Sequence, residues 1–204
     1  MRYGEHIMSY YFTGDPGKKP NLKNITFRFL AQEETFISDD GVFSKSTLDF
    51  GSRVLLETIV KDNLQGSLLD LGCGLGYIGI LLKKYHPSLN VTMTDINERA
   101  VELAEMNSKL YGQDNTVMSG DGICTDELFD YVVTNPPIRT GKQNVHRLLK
   151  EGFDHLKDDG KMYIVMRRQQ GAESALKYLN EFARAKVVNR ESGYWVICVE
   201  HLTN

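Results

Sequence analysis

The chain has 204 residues, 41% hydrophobic and 25% charged, which suits one large domain with a sizeable core and excludes a disordered, collagenous or coiled-coil chain. Its apolar runs are too short to cross a bilayer, MRYGEHIMSYYF has no signal-peptide core, and Cys73, Cys124 and Cys198 form no CxxC pair, so a soluble protein of a reducing, cytoplasmic compartment is expected. The formal charge of −3 divides into +2 over 1–24, −4 over 25–70, −5 over 71–138 and +4 over 139–204; the basic flanks are either solvated surface or a face for a polyanion.

Residues 13–24, TGDPGKKPNLKN, read as a loop, and Tyr10, Tyr11 and Phe12 before it are too aromatic for a free tail. ITFRFL (25–30) and TFISD (35–39) alternate apolar with polar or small residues across a short acidic turn. That is the pattern of a hairpin, and residues 1–45 are expected to form an accessory segment. From 46 to 204 the rhythm is helix, strand, helix, strand. Ser46 or Thr47 caps a helix to about Lys61, SLLDL (67–71) is a buried strand, and a helix runs from Gly76 to Tyr85. NVTMTD (90–95) is the second strand, 97–112 a helix capped by Asn97, NTVMSGD (115–121) a third strand and FDYVVTN (129–135) a fourth. Helix 143–156, strand 161–167, helix 172–183 and strands 185–191 and 194–200 follow, with Trp195 in the core. Such alternation predicts a doubly wound α/β sheet. The tight turn at Ser192-Gly193, with no helix between the strands, makes the last strand antiparallel.

LLDLGCGLGYIGI places Gly72, Gly74 and Gly76 between a strand and a helix, where ligands meet the carboxyl ends of parallel strands. Gly74, Gly76 and Gly79 also satisfy GxGxxG, so the glycines alone leave a nicotinamide dinucleotide open. Asp70 argues against it, because a carboxylate here repels the pyrophosphate that a dinucleotide sets at the helix amino end. It suits a ligand with an ammonium, a sulfonium and no phosphate, as in S-adenosylmethionine; a carboxylate that only caps loop amides is the alternative. Asp95, 25 residues on, ends the second strand where a carboxylate accepts ribose hydroxyls. Asp121 ends the third, where an acceptor can meet an adenine amino group. Each acid alone could be a cap, but three at consecutive strand ends make a pattern.

DLGCGLG, TDIN, SGDG and TNPP together resemble the class I S-adenosylmethionine-dependent methyltransferases. The resemblance implies a seven-stranded sheet of order 3-2-1-4-5-7-6 with the last strand antiparallel. It implies Asp70, Gly72, Cys73, Gly74 and Gly76 on the methionine part of the cofactor and Asp95 on the ribose. It also implies Ile96 and Asn97 beside the adenine, and Asp121 with Gly122 on the adenine edge.

Asn135-Pro136-Pro137 ends the fourth strand. The prolines supply no backbone N–H and bias Asn135 towards an extended conformation, so the turn is rich in carbonyls and poor in donors. The Asn135 side-chain oxygen and the Pro136 carbonyl can accept the two hydrogens of one planar NH₂ group. That would hold its nitrogen for in-line attack on the sulfonium methyl, by orientation and preorganisation, with no strong base. A rigid strand exit with Asn135 bonded only to its own loop is the alternative. The turn resembles the signature of methyltransferases acting on adenine N6, guanine N2 or protein glutamine, many of which place an aromatic residue next. Here Ile138 and Arg139 follow, so the planar contact falls to Arg139 or the amino-terminal tyrosines.

DDGVFSKSTLDFGSRVLLE (39–57) resembles the segment before the catalytic core of bacterial small-subunit ribosomal RNA guanine-N2 methyltransferases. This implies a short member carrying essentially the catalytic domain, with Phe43, Asp49 and Gly51 lining the cofactor pocket. On periodicity alone, 46–61 is an amphipathic helix.

Arg139, Lys142, Arg147 and Lys150 lie in an acid-free stretch after the turn, and Arg167 and Arg168 end the fifth strand on the same sheet edge. Basic side chains there can bind RNA phosphates or simply face solvent. The histidines show neither metal-ligand nor nucleophile–base spacing, and Cys73 reads as a small side chain beside the cofactor. The expected activity is S-adenosylmethionine-dependent methylation of an exocyclic amine, first of all guanine N2 of 16S ribosomal RNA, with RNA or an assembling subunit as partner and no metal or membrane. Its rivals are adenine N6 or protein glutamine as acceptor, a nicotinamide oxidoreductase, and a cofactor-binding RNA module without turnover.

Overall fold

The computed structural model describes residues 21–39 and 47–202; Phe43, Ser46 and the amino-terminal tyrosines lie outside them. The chain opens with a hairpin of β1 (Leu22–Phe29) and β2 (Gln32–Asp39). Phe29 pairs with Gln32, and Leu30 and Ala31 both take left-handed φ values of 44° and 64°, the two-residue turn whose twist matches the strands. Glu33 and Glu34, expected in the turn, therefore belong to β2.

Helix α1 spans Phe50–Ile59, and its N-cap is Asp49, whose Oδ1 accepts the Ser52 N–H at 3.1 Å. The expected cap at Ser46 or Thr47 is corrected: Asp49 satisfies an otherwise orphan amide of the first turn. There follow β3 (Gly66–Leu71), α2 (Tyr77–Tyr85), β4 (Leu89–Asp95), α3 (Glu98–Leu110), β5 (Thr116–Ser119) and β6 (Phe129–Thr134). The chain continues with α4 (Lys142–Asp154), β7 (Leu156–Arg167), α5 (Ala172–Leu179), β8 (Arg184–Glu191) and β9 (Tyr194–Glu200). Asn97 caps α3 as its sequence predicts, accepting from the Arg99 N–H. β5 stops at Ser119, so Asp121 stands in the loop beyond the strand and not at its end. Trp195 is half-buried, a correction to its expected place in the core.

Seven strands form one sheet of order β5-β4-β3-β6-β7-β9-β8. Renumbered from β3, this is the expected 3-2-1-4-5-7-6, with β9 antiparallel to both β7 and β8. The Ser192-Gly193 turn is left-handed at both positions, φ 47° and 81°, which closes β8 onto β9 directly.

Apolar residues on the two sheet faces build two cores. One lies under α1, α2 and α3 and takes in the hairpin residues Ile25, Phe27, Phe29 and Phe36; the other lies under α4 and α5. Phe36 sits 4.6 Å from Tyr77 and 5.1 Å from Tyr111 between ring centroids. The buried Glu34 carboxylate is paired by Lys84 at 2.6 Å and by the Tyr111 hydroxyl at 2.7 Å, as a buried charge requires. No described helix is long and apolar enough to cross a membrane.

Candidate active site

The loop after β3 lies along β4. The N–H groups of Gly72 and Cys73 both donate to the Thr94 carbonyl, at 2.8 and 2.9 Å, and the Gly74 N–H donates to Asp95 Oδ2 at 2.8 Å. Gly72 and Gly74 have φ values of 74° and 55°, and a Cβ on either would meet nothing within 4 Å. The loop thus presents bare backbone to open space. Beneath it Asp70 is fully buried, with Oδ2 accepting the Gly79 N–H at 2.9 Å and Oδ1 without a partner among the described residues. Burial first, and the charge of Asp95 second, push this carboxyl up to about 7 against the pull of the Gly79 N–H. A cation held over the loop would favour its ionised form. Capping uses one oxygen of Asp70 and leaves the other unsatisfied.

Asp95 is half-buried and uses its second oxygen to accept the Asn97 N–H at 2.9 Å; each oxygen keeps a further lone pair for a hydroxyl. Next to it Ile96 is 68% exposed, an apolar side chain held open beside the loop. The Asn97 side chain is spent on its cap. Cys73 is buried and its thiol is pushed well above its usual range by burial and by Asp70 and Asp95, which makes it a poor nucleophile.

Asp121 is mostly exposed and pairs with Arg147 at 2.5 Å. Arg147 also binds Glu151 at 3.1 Å, while Glu151 accepts the Ile123 N–H at 2.7 Å. Arg147 and Glu151, one turn apart on α4, thus brace the Gly120–Ile123 loop, and a Cβ on Gly122 would fall 2.4 Å from Glu151. This bracing was not legible in the sequence, which offers Arg147 as a ligand of RNA phosphates or a solvated cation. Lys150 likewise pairs with Asp154 at 2.5 Å.

Asn135 follows β6, and Thr134 before it donates its hydroxyl to the Leu71 carbonyl at 2.7 Å, joining this turn to the start of the glycine loop. The Asn135 amide nitrogen donates to Asp49 Oδ1 and to Ser52 Oγ, both at 3.1 Å. It is bonded to α1, not to its own loop. A carboxylate oxygen can only accept, so this pairing assigns the amide orientation, and no described residue engages Oδ1 of Asn135. The Pro136 carbonyl accepts the Ile138 N–H at 2.9 Å across Pro137 (φ −75°, ψ 78°), an inverse γ-turn, and keeps one lone pair for another donor. Ile138 is half-buried, packs on the core under α4 and α5, and lines a cavity of about 120 Å³ with Lys142, Val145, His146 and Met166.

Arg139 is exposed in the one-turn 3-10 segment after the prolines. Arg167 and Arg168 are exposed at the end of β7; Arg167 stacks 5.2 Å from Tyr194, and Arg168 pairs with Glu173 and lies 6.0 Å from Trp195. Among the described residues no group of three His, Cys, Asp or Glu side chains is placed to hold a metal.

The methyltransferase small domain family matches residues 33–198. The chain belongs to that family. It has the class I methyltransferase fold, and its methyl donor is S-adenosylmethionine. It is 38% identical over 196 residues to the uncharacterized protein YbxB of Bacillus subtilis, covering 94% of this chain and 98% of that one. It is 40% identical over 169 residues to ribosomal RNA small subunit methyltransferase C of Mannheimia succiniciproducens, covering 76% of this chain and 49% of that one. The 16S rRNA N2 methyltransferase of T. thermophilus, solved with AdoMet and guanosine, superposes with a TM-score of 0.78 at 22% identity, over 89% of this chain and 51% of that one. The chain thus spans about half the length of the ribosomal RNA methyltransferases it matches.

Proposed function

We propose that this chain methylates an exocyclic amine of RNA, in the first instance guanine N2 of small-subunit ribosomal RNA. The observation that carries the reading is the clamp on Asn135: Asp49 and Ser52 take both amide hydrogens and so fix the side chain with its carbonyl oxygen available as an acceptor. An acceptor beside the free lone pair of Pro136 suits an NH₂ group and would repel a carbonyl or hydroxylate. The relatives named for ribosomal RNA methylation support RNA as the substrate.

S-adenosylmethionine supplies an electrophilic methyl on a cationic sulfur. Asp70, beneath the glycine loop, would favour that cation through its charge, and Asp95 would accept ribose hydroxyls. The Gly120–Ile123 loop, braced by Arg147 and Glu151, would offer Asp121 and Gly122 to the adenine. Asn135 Oδ1 and the Pro136 carbonyl hold the amine hydrogens, so the nitrogen lone pair is aimed and not left to its ring. Transfer would form the new N–C bond as the donor's C–S bond breaks, and the methylated nitrogen, then strongly acidic, would release its proton to water. The Asp49 oxygen that accepts from the Asn135 amide would raise electron density on Oδ1 and strengthen its hold as positive charge grows on the amine.

The test is transfer of labelled methyl to total RNA and to small subunits from cells lacking the protein, followed by nucleoside digestion. Label in N2-methylguanosine is expected. Label in another base keeps the clamp and discards guanine, and transfer to protein glutamine with none to RNA overturns the reading.

A further inference from the structure

Ile138 turns towards the cavity under α4 and α5, so it offers no plane on which a target base could stack. Two aromatic rings, tilted 50° to one another, stand elsewhere on the same sheet edge. Phe50, the first residue of α1, is 40% exposed and its ring centroid lies 5.5 Å from that of Tyr194, the first residue of β9. Arg167 pairs with Tyr194 in register and holds its guanidinium carbon 5.2 Å from the same ring. Gly51 permits this arrangement, since a Cβ there would come within 2.9 Å of Tyr194 Cε1. Residues 49–52 therefore serve two neighbours: Asp49 and Ser52 bind Asn135, while Phe50 and Gly51 meet Tyr194. No carboxylate of the described residues forms an ion pair with Arg167, which is exposed.

We infer that Phe50 and Tyr194, with Arg167 stacked on the tyrosine, form the surface on which a single-stranded nucleotide at the active-site mouth stacks. Half-exposed aromatic rings with an arginine over one of them are what an unpaired base requires: a π-face for the ring and a positive charge for the adjoining phosphate. The glycine at 51 and the aromatic at 50 then have a use beyond starting a helix. The inference rests on RNA as substrate and adds the residues that receive its base.

The test compares wild type with Phe50→Leu, Arg167→Leu, Tyr194→Phe and Tyr194→Leu. Three quantities are read: KM for small-subunit RNA in methyl transfer, anisotropy-measured binding of a labelled single-stranded oligoribonucleotide, and calorimetric affinity for S-adenosylmethionine. The leucine variants at 50 and 167 are expected to weaken RNA binding and raise KM roughly tenfold, with cofactor affinity and melting temperature unchanged. Tyr194→Phe, which keeps the plane, should match wild type where Tyr194→Leu does not. RNA binding by Phe50→Leu and Arg167→Leu within twofold of wild type overturns the surface, whether or not methyl is transferred. Loss of RNA binding in these variants of an enzyme that methylates no RNA would instead uphold the surface and overturn the proposed reaction.

Discussion

At the scale of single residues, the site depends on groups whose partners differ in kind. Asn135 needs its amide held and its carbonyl free. Asn135→Ala should lower methyl transfer by roughly 10²-fold or more while cofactor affinity, read by calorimetry, stays within about twofold. Ser52→Ala removes one of two acceptors and should lower kcat by about tenfold, again without weakening the cofactor. Asp70 is governed by burial. Its carboxyl is near 3.8 in an open chain and about 7 in the fold, so between those values the native state holds a proton that the unfolded chain has lost. Stability of the ligand-free protein should therefore fall as pH rises from about 4 to about 7 and level off above. Asp70→Asn should remove that slope in melting temperature. Cofactor affinity should rise over the same approach to neutrality in wild type and stay flat and weak in the variant. Arg147 and Arg168 separate by their partners. Arg147→Glu sets a third acid between Asp121 and Glu151, so it should weaken the cofactor, contrary to what its place in a basic stretch suggests. Arg168→Glu should leave the cofactor alone and lower the salt slope of RNA binding by about one.

At the scale of elements, the hairpin and the glycine loop meet through one side chain. Asn107 of α3 is fully buried; its Oδ1 accepts the Ile37 N–H at 2.6 Å and its Nδ2 donates to the carbonyls of Ile37 and Leu75, each at 3.0 Å. Asn107→Ala leaves those buried groups without partners and should cost about 3 kcal/mol in urea denaturation. The elements themselves were readable because each carries a local signal: alternation in ITFRFL, Asn97 before a helix, Ser192-Gly193 between two strands. The start of α1 was not, because Ser46, Thr47 and Asp49 are all competent caps and only Asn135, 86 positions away, distinguishes them. The same distance hid Ser52 as an orienting residue. The bracing role of Arg147 was hidden for the same reason, since its carboxylate partner Asp121 is 26 positions upstream. Tyr194 carried no sequence signal at all, being the first residue of an apolar strand whose partner sits on α1.

At the scale of the whole molecule, sheet order brings the parts together. β3, β4 and β6 are mutual neighbours or share one, so Asp70, Asp95 and Asn135, spread over 66 positions of sequence, reach one edge without any loop having to span the protein. The antiparallel β9 then returns Tyr194 to that edge from the far end of the chain. Under the proposed function, donor and acceptor would meet opposite halves of the sheet, and α1 packs on β7 and β9 of the acceptor half. Asp49 makes that division consequential. One carboxylate starts α1 and also grips Asn135, so fraying of a single helical turn would release Asn135 while leaving all seven strands intact. Such a protein would disarm before it melts: on warming, the proposed chemistry should go quiet while the spectrum still looks native.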